Sequence, residues 1–119
     1  MCIVAVGAAP VAASAESGDG GWFAPRPRQL SFDPFTNPTS QHRTQVEPAS
    51  FSYGHTVVTA FQTGRTYTGG GADIGWATSL DEGSHWRFGF LTGLTSSAGG
   101  MDAAVTDSSV AYDAAHPPG

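Results

Sequence analysis

The sequence predicts an all-β antiparallel fold, on three observations. Short runs rich in β-branched and aromatic residues recur between positions 44 and 91. Glycine-bearing turn signals separate them, at Tyr53-Gly54, at Gly69-Gly70-Gly71 and at Asp81-Glu82-Gly83. The composition joins 16 Gly and 8 Pro to only 13% charged residues, which suits a turn-rich sheet protein better than helices or disorder. At 119 residues the chain can form one small domain.

Taken in order, residues 1–15 are small and apolar and end in Ala13-Ser14-Ala15, which fits a signal-peptidase site, although a positively charged n-region is missing. The stretch is either a truncated signal peptide or an Ala-rich tail with no export role. We take the first, which makes the expected location secreted or extracytoplasmic. Residues 16–42 form a Gly/Pro-rich extended lead-in, beginning with a polar, Gly-rich linker. Pro25, Pro27, Pro34 and Pro38 exclude a helix or a central strand there. Its aromatic residues Trp22, Phe23, Phe32 and Phe35 are expected to pack on the first sheet. Four strands follow, at 44–51, 55–62, 72–79 and 86–91. In the second, the sparse polarity of 57–62 predicts burial on both faces.

The third and fourth strands are joined by Ser79-Leu80-Asp81-Glu82-Gly83-Ser84-His85-Trp86. Gly83 supplies the positive φ of a short hairpin loop. Asp81 can fold its carboxylate back onto the loop's own N–H groups, and Trp86 can cover the turn. This stretch resembles the Asp box, Ser-x-Asp-x-Gly-x-Thr-Trp, of the sialidase-like β-propellers, also called the bacterial neuraminidase (BNR) repeat. Ser79, Asp81, Gly83 and Trp86 match, and His85 stands where the family has Thr. The likeness extends to Val46-Glu47-Pro48, to 56–65, to 72–79 and to 109–113.

The resemblance implies one four-stranded antiparallel propeller blade over 43–91. An inter-blade connection and the start of the next blade occupy 92–119, with the first strand of that second blade at 108–113. Such an incomplete β-propeller reads as an N-terminal fragment of a secreted protein, since one blade cannot close a ring of four to eight. The function it implies is binding or hydrolysis of glycans, as an exo-alpha-sialidase-like glycoside hydrolase when full length and inactive as the fragment. A non-catalytic propeller scaffold is the alternative. Its partners would be a glycan or other extracellular ligand and the remaining blades.

In a blade the connections alternate between the two ends, so the loop over 63–71 lies opposite the Asp box, at the end that holds the active site in sialidases. This singles out Arg65, able to grip a ligand carboxylate bidentately, and Tyr67, able to stack on a sugar. A surface ion pair and rim packing are their plainer readings. Glu47, expected to begin the innermost strand close to the channel, is a third ligand-binding candidate, and its plainer reading is a structural carboxylate bonded to backbone N–H groups or to Arg65. Asp73 reads as a turn acceptor at a strand start. Ser79, Asp81, Gly83 and Trp86 read as structural, and no catalytic set is assigned.

Other classes are excluded or unsupported. The net charge is -5, with no basic patch for a phosphate backbone, so nucleic acid is not an expected partner. The single cysteine, Cys2, allows no internal disulfide and no cysteine zinc site. His42, His55, His85 and His116 lack metal-ligand spacing and are expected on the solvated surface, and no cofactor is expected. No apolar run reaches the length that spans a bilayer.

Overall fold

A computed structural model describes residues 27–113 and 115. The export signal expected at 1–15, the linker at 16–21, Trp22, Phe23 and His116 lie outside the described residues.

One four-stranded antiparallel sheet dominates the described residues. It consists of β1 (Ser40–Tyr53), β2 (Thr56–Thr66), β3 (Gly71–Ser79) and β4 (Arg87–Phe90), hydrogen-bonded in the order β1-β2-β3-β4. The only described helical piece is a short 3-10 turn, Ser96–Ala98. No described helix is long and apolar enough to cross a membrane.

The sheet is an up-and-down meander, as the turn signals predict, but two strands are longer than their sequences imply. β1 starts at Ser40, ahead of the expected 44, and runs through Pro48. Proline is tolerated there because β1 is an edge strand and because the register slips between Val46 and Ala49, a bulge in which Glu47 takes φ 52°. β2 continues to Thr66, past the expected end at 62. Thr63 pairs with Asp73 and Arg65 with Gly71, so half of the expected functional loop is sheet and only 67–70 is turn.

Alternation along the strands divides the sheet into two faces. Phe61, Gly75 and Phe90 lie in one cross-strand row, with Thr63 and Asp73 in the next. Gly75 is required here, because a Cβ at this position would come within 2.5 Å of Phe61 Cε2 and 2.9 Å of Thr63 Oγ1. The lead-in crosses this face: Phe32 meets Phe88 and Phe90 edge-on at 5.7 and 5.3 Å, Phe35 meets Phe90 at 5.2 Å, and Leu30 is buried. The opposite face carries Ala60, Gln62, Ile74 and Trp76, with Phe51 and Tyr53 at its β1 side. Across it runs the chain after Val105, which bridges to Gly71. Thr106 Oγ1 accepts from Gln62 Nε2 at 3.2 Å, and the Tyr112 ring stacks on Tyr53 at 4.2 Å.

β2 is buried without a break over 59–64, which is the two-sided cover its sparse polarity implies. The apolar core is small, however. Among the described residues Phe61, Ile74 and Leu30 are its only large members, and the rest is alanine. Phe32, Phe51, Tyr53 and Phe88 remain 43 to 57% exposed, so both faces keep uncovered aromatic area at their margins.

The strand expected at 108–113 is not a strand in the structure. Among the described residues no second chain segment forms a ladder with it.

Candidate functional site

The two ends of the sheet are built differently, and the difference locates the site. At one end, the turn over 79–86 is closed by its own side chains. The Ser79 hydroxyl donates to Asp81 Oδ1 at 2.8 Å and accepts from the N–H groups of Gly83, 2.8 Å, and Asp81, 3.3 Å. Asp81 also accepts the His85 N–H at 2.8 Å and the His85 ring at 2.6 Å. The His85 N–H foremost, then its ring and the Ser79 hydroxyl, hold the Asp81 carboxyl down at about 2. Gly83 has φ 91°, and Trp86 lies beneath it and donates from Nε1 to the Gly83 carbonyl at 2.8 Å.

The adjacent carboxylates diverge. Asp81 turns into the loop, whereas Glu82 reaches across to the His55 ring at 2.6 Å while its N–H meets the His55 carbonyl at 2.9 Å. His42, His55 and His85 are exposed as the sequence suggests, yet each is held by a carboxylate, His42 by Asp33 at 3.4 Å. Among the described residues no three histidine, cysteine, aspartate or glutamate side chains converge as a metal site would need.

The other end is open. The turn over 67–70 is tied down by its backbone, Thr66 N–H to the Gly70 carbonyl at 2.8 Å and Tyr67 N–H to the Thr39 carbonyl at 3.0 Å. The Tyr67 ring is 70% exposed. Arg65 is an exposed strand residue rather than a loop residue, and its guanidinium has no hydrogen-bond or ion-pair partner among the described residues. Arg43 is the residue that sequence reading missed. It sits in the first β1 bulge with φ 59°, at the same end as Arg65, whose partner on β1 is Gln41. Its side chain is likewise exposed and without a partner, while its N–H donates to Asp33 Oδ2 at 2.8 Å. No motif marks Arg43; the pairing of Gln41 with Arg65 and of Gln45 with Thr63 puts it at this end.

Two expectations fail. Glu47 lies within β1 rather than at a strand start, and its carboxylate accepts from the Gln62 side-chain amide, not from Arg65 or a backbone N–H. The bulge turns it onto the face that carries Gln62, away from Arg65. Asp73 is not a turn acceptor. It lies inside β3, fully buried, and among the described residues neither oxygen has a hydrogen-bond partner of good geometry, the Ile74 N–H being its nearest approach to one. Burial pushes its carboxyl pKa up, and the adjacent Ile74 N–H only partly offsets this. Its cross-strand neighbour, the Thr63 hydroxyl, is buried and unpartnered too.

Among the described residues the open end therefore offers two unpartnered guanidinium groups, an exposed phenol ring and, one row inward, a buried acid and hydroxyl. Guanidinium groups bind planar anions such as carboxylates bidentately, and an exposed aromatic face suits a sugar ring. Among the described residues no nucleophile and base stand within hydrogen-bond reach of each other at this end. No family model, no curated protein and no solved structure matches the chain.

Proposed function

We propose that the chain contributes a blade to an exported, sialidase-like Asp-box β-propeller that recognises an anionic glycan through Arg65, Arg43 and Tyr67. The observation that carries the reading is the division of labour between the two ends. The turn with the Asp-box pattern satisfies its polar groups internally, at the β3–β4 connection where a blade has it. The opposite end leaves the side chains of two strand arginines without a partner among the described residues. The aromatic margins on both faces add support, since a blade buries such area against its neighbours. So does the stretch from Thr106 to Tyr112, held on one face by the Gln62 bond and the Tyr53 stack, where the innermost strand of a following blade would lie.

Hydrolysis needs an acid and a nucleophile converging with these arginines, and in this reading other blades would supply them. The alternative, a non-catalytic scaffold, is favoured by the same lack of an acid–nucleophile pair at the open end. Binding of a sialic-acid-terminated trisaccharide and of its galactose-terminated counterpart, titrated calorimetrically against the full chain and Arg65→Ala, tests the proposal. We expect preference for the acidic sugar and at least tenfold weaker binding by the variant. Equal binding of both sugars, or no effect of the substitution, overturns it. Release of a fluorogenic aglycone from a sialoside would separate enzyme from scaffold.

A further inference from the structure

The lead-in forms a strap across one face of the sheet, and it is fixed at both edges. At the β4 edge rings hold it, Phe32 against Phe88 and Phe90 and Phe35 against Phe90. At the β1 edge it is held by Asp33, whose side chain is fully buried. Pro34 has no N–H, so the local Asx-type bond of Asp33 comes from the Phe35 N–H, which donates to Oδ1 at 2.9 Å. Oδ2 is left for a distant donor. It accepts the Arg43 N–H at 2.8 Å, with the His42 ring at 3.4 Å. His42 Nε2 donates to the Asn37 carbonyl at 2.9 Å, a second tie between strap and strand.

The carboxylate sits where β1 leaves its ladder. Gln41 pairs with Arg65 and Gln45 with Thr63, so His42, Arg43 and Thr44 all lie opposite Gly64. Gly64 leaves room beside this excursion: a Cβ on it would stand 3.6 and 3.7 Å from the two Asp33 oxygens. Within the excursion Arg43 takes φ 59°, a left-handed conformation that a residue with a Cβ keeps only when its surroundings enforce it. A charge-assisted bond from a buried carboxylate, itself fixed by a second N–H and by clamped rings on either side, is such a surrounding.

We propose that Asp33 is a positioning residue of the open end: its buried carboxylate, anchored by the strap, fixes the left-handed turn from which the exposed Arg43 guanidinium projects. A guanidinium grips a carboxylate bidentately only from a set direction, so loosening the backbone beneath it weakens the grip while the charge stays. The sign of the effect is diagnostic. Removing an acidic residue near an anion site strengthens binding if charge alone matters, whereas loss of positioning weakens it. The ligand part of this inference rests on the anionic-glycan reading; the backbone part does not.

The test uses the full chain with Asp33→Ala, Asp33→Asn, Arg43→Ala and the double variant Asp33→Ala/Arg43→Ala. Amide hydrogen exchange followed by NMR reads the backbone: the Arg43 amide should exchange about tenfold faster in Asp33→Ala, with amides in the middle of β2 and β3 unchanged. Calorimetric titration with the sialic-acid-terminated trisaccharide reads the site. Asp33→Ala and Arg43→Ala should each weaken binding about fivefold, and the double variant no more than Arg43→Ala alone, because Asp33 acts through Arg43. Asp33→Asn keeps the shape of the side chain but leaves one acceptor oxygen for two N–H groups, so it should free the Arg43 or the Phe35 amide; it decides if Asp33→Ala unfolds. An Arg43 amide that stays protected in Asp33→Ala, both amides protected in Asp33→Asn, unchanged or tighter sugar binding by Asp33→Ala, or additive losses in the double variant overturns the proposal. If the wild-type chain binds no acidic sugar, the glycan reading falls, and amide exchange alone decides whether Asp33 holds the turn.

Discussion

The two ends of the sheet share the same architecture, a short turn between antiparallel strands, but they dispose of their polar groups in opposite ways. At the 79–86 turn every side chain in the Ser79, Asp81, His85 and Trp86 set bonds to another part of the same turn. At the 67–70 turn the closure is mostly backbone, and Arg43, Arg65 and Tyr67 project outward. One end uses its chemistry to hold itself together; the other keeps its chemistry available. Substitutions at the first should therefore change stability, and substitutions at the second should change binding.

The largest expected effect belongs to Trp86. Its ring is half-buried under Gly83 and its Nε1 donates to the Gly83 carbonyl, so Trp86→Ala removes both packing and a hydrogen bond. Full truncation of a buried Trp costs about 3 to 5 kcal/mol, and partial exposure reduces this to about 2 to 4 kcal/mol here. Trp86→Phe should recover all but the hydrogen bond, about 1 kcal/mol. Urea unfolding followed by far-UV circular dichroism measures both. A loss below about 1 kcal/mol for Trp86→Ala would mean that this turn is not what holds β3 to β4.

Asp73 reverses the sign. Its folded pKa lies above its unfolded one, so its contribution is fully favourable only below the unfolded value near 3.8 and declines as pH rises through the folded value. At neutral pH the unpaired buried carboxyl opposes folding. Asp73→Asn keeps a buried polar group but removes the charge, so it should stabilise the chain at pH 7, with little change at pH 3. A destabilised variant at pH 7 would show that the carboxylate has a partner in solution. The open end thus carries a stability burden that the closed end does not.

The closed end has the opposite pH response. Asp81 is held at about 2, below its ordinary 3.8, so its stabilisation is present above pH 4 and is lost as pH falls through about 2. Stability measured between pH 4 and pH 2 should drop with the wild-type chain and drop less with Asp81→Asn. Equal slopes would remove Asp81 from the account.

The contrast between the ends was legible in the sequence only in part. The closed end could be read because its bonds are local: Ser79, Asp81, Gly83 and Trp86 act within eight residues, and their spacing encodes the turn. The strands were legible from β-branched runs and glycine punctuation, but not their lengths. Thr63 and Arg65 read as loop until their partners Asp73 and Gly71 are known. Arg43, Glu47 and Asp73 were misjudged or missed for one reason. Their surroundings depend on register slips and on segments far away in the chain, which no local pattern carries.

The smallest stability effect is expected at Arg65, and it sharpens the comparison most. Its guanidinium is exposed and unpartnered, so Arg65→Ala should shift unfolding stability by no more than about 0.5 kcal/mol, as surface changes do. Gly71 faces it across the strand pair and contributes no side chain, so little packing is lost. If binding of an acidic sugar falls tenfold while the urea midpoint stays fixed, the open end is a binding surface and nothing more. A stability loss of 1 kcal/mol or greater would instead tie Arg65 to the buried Asp73 one row away. The two ends would then be alike in function, each a polar cluster that holds the sheet together.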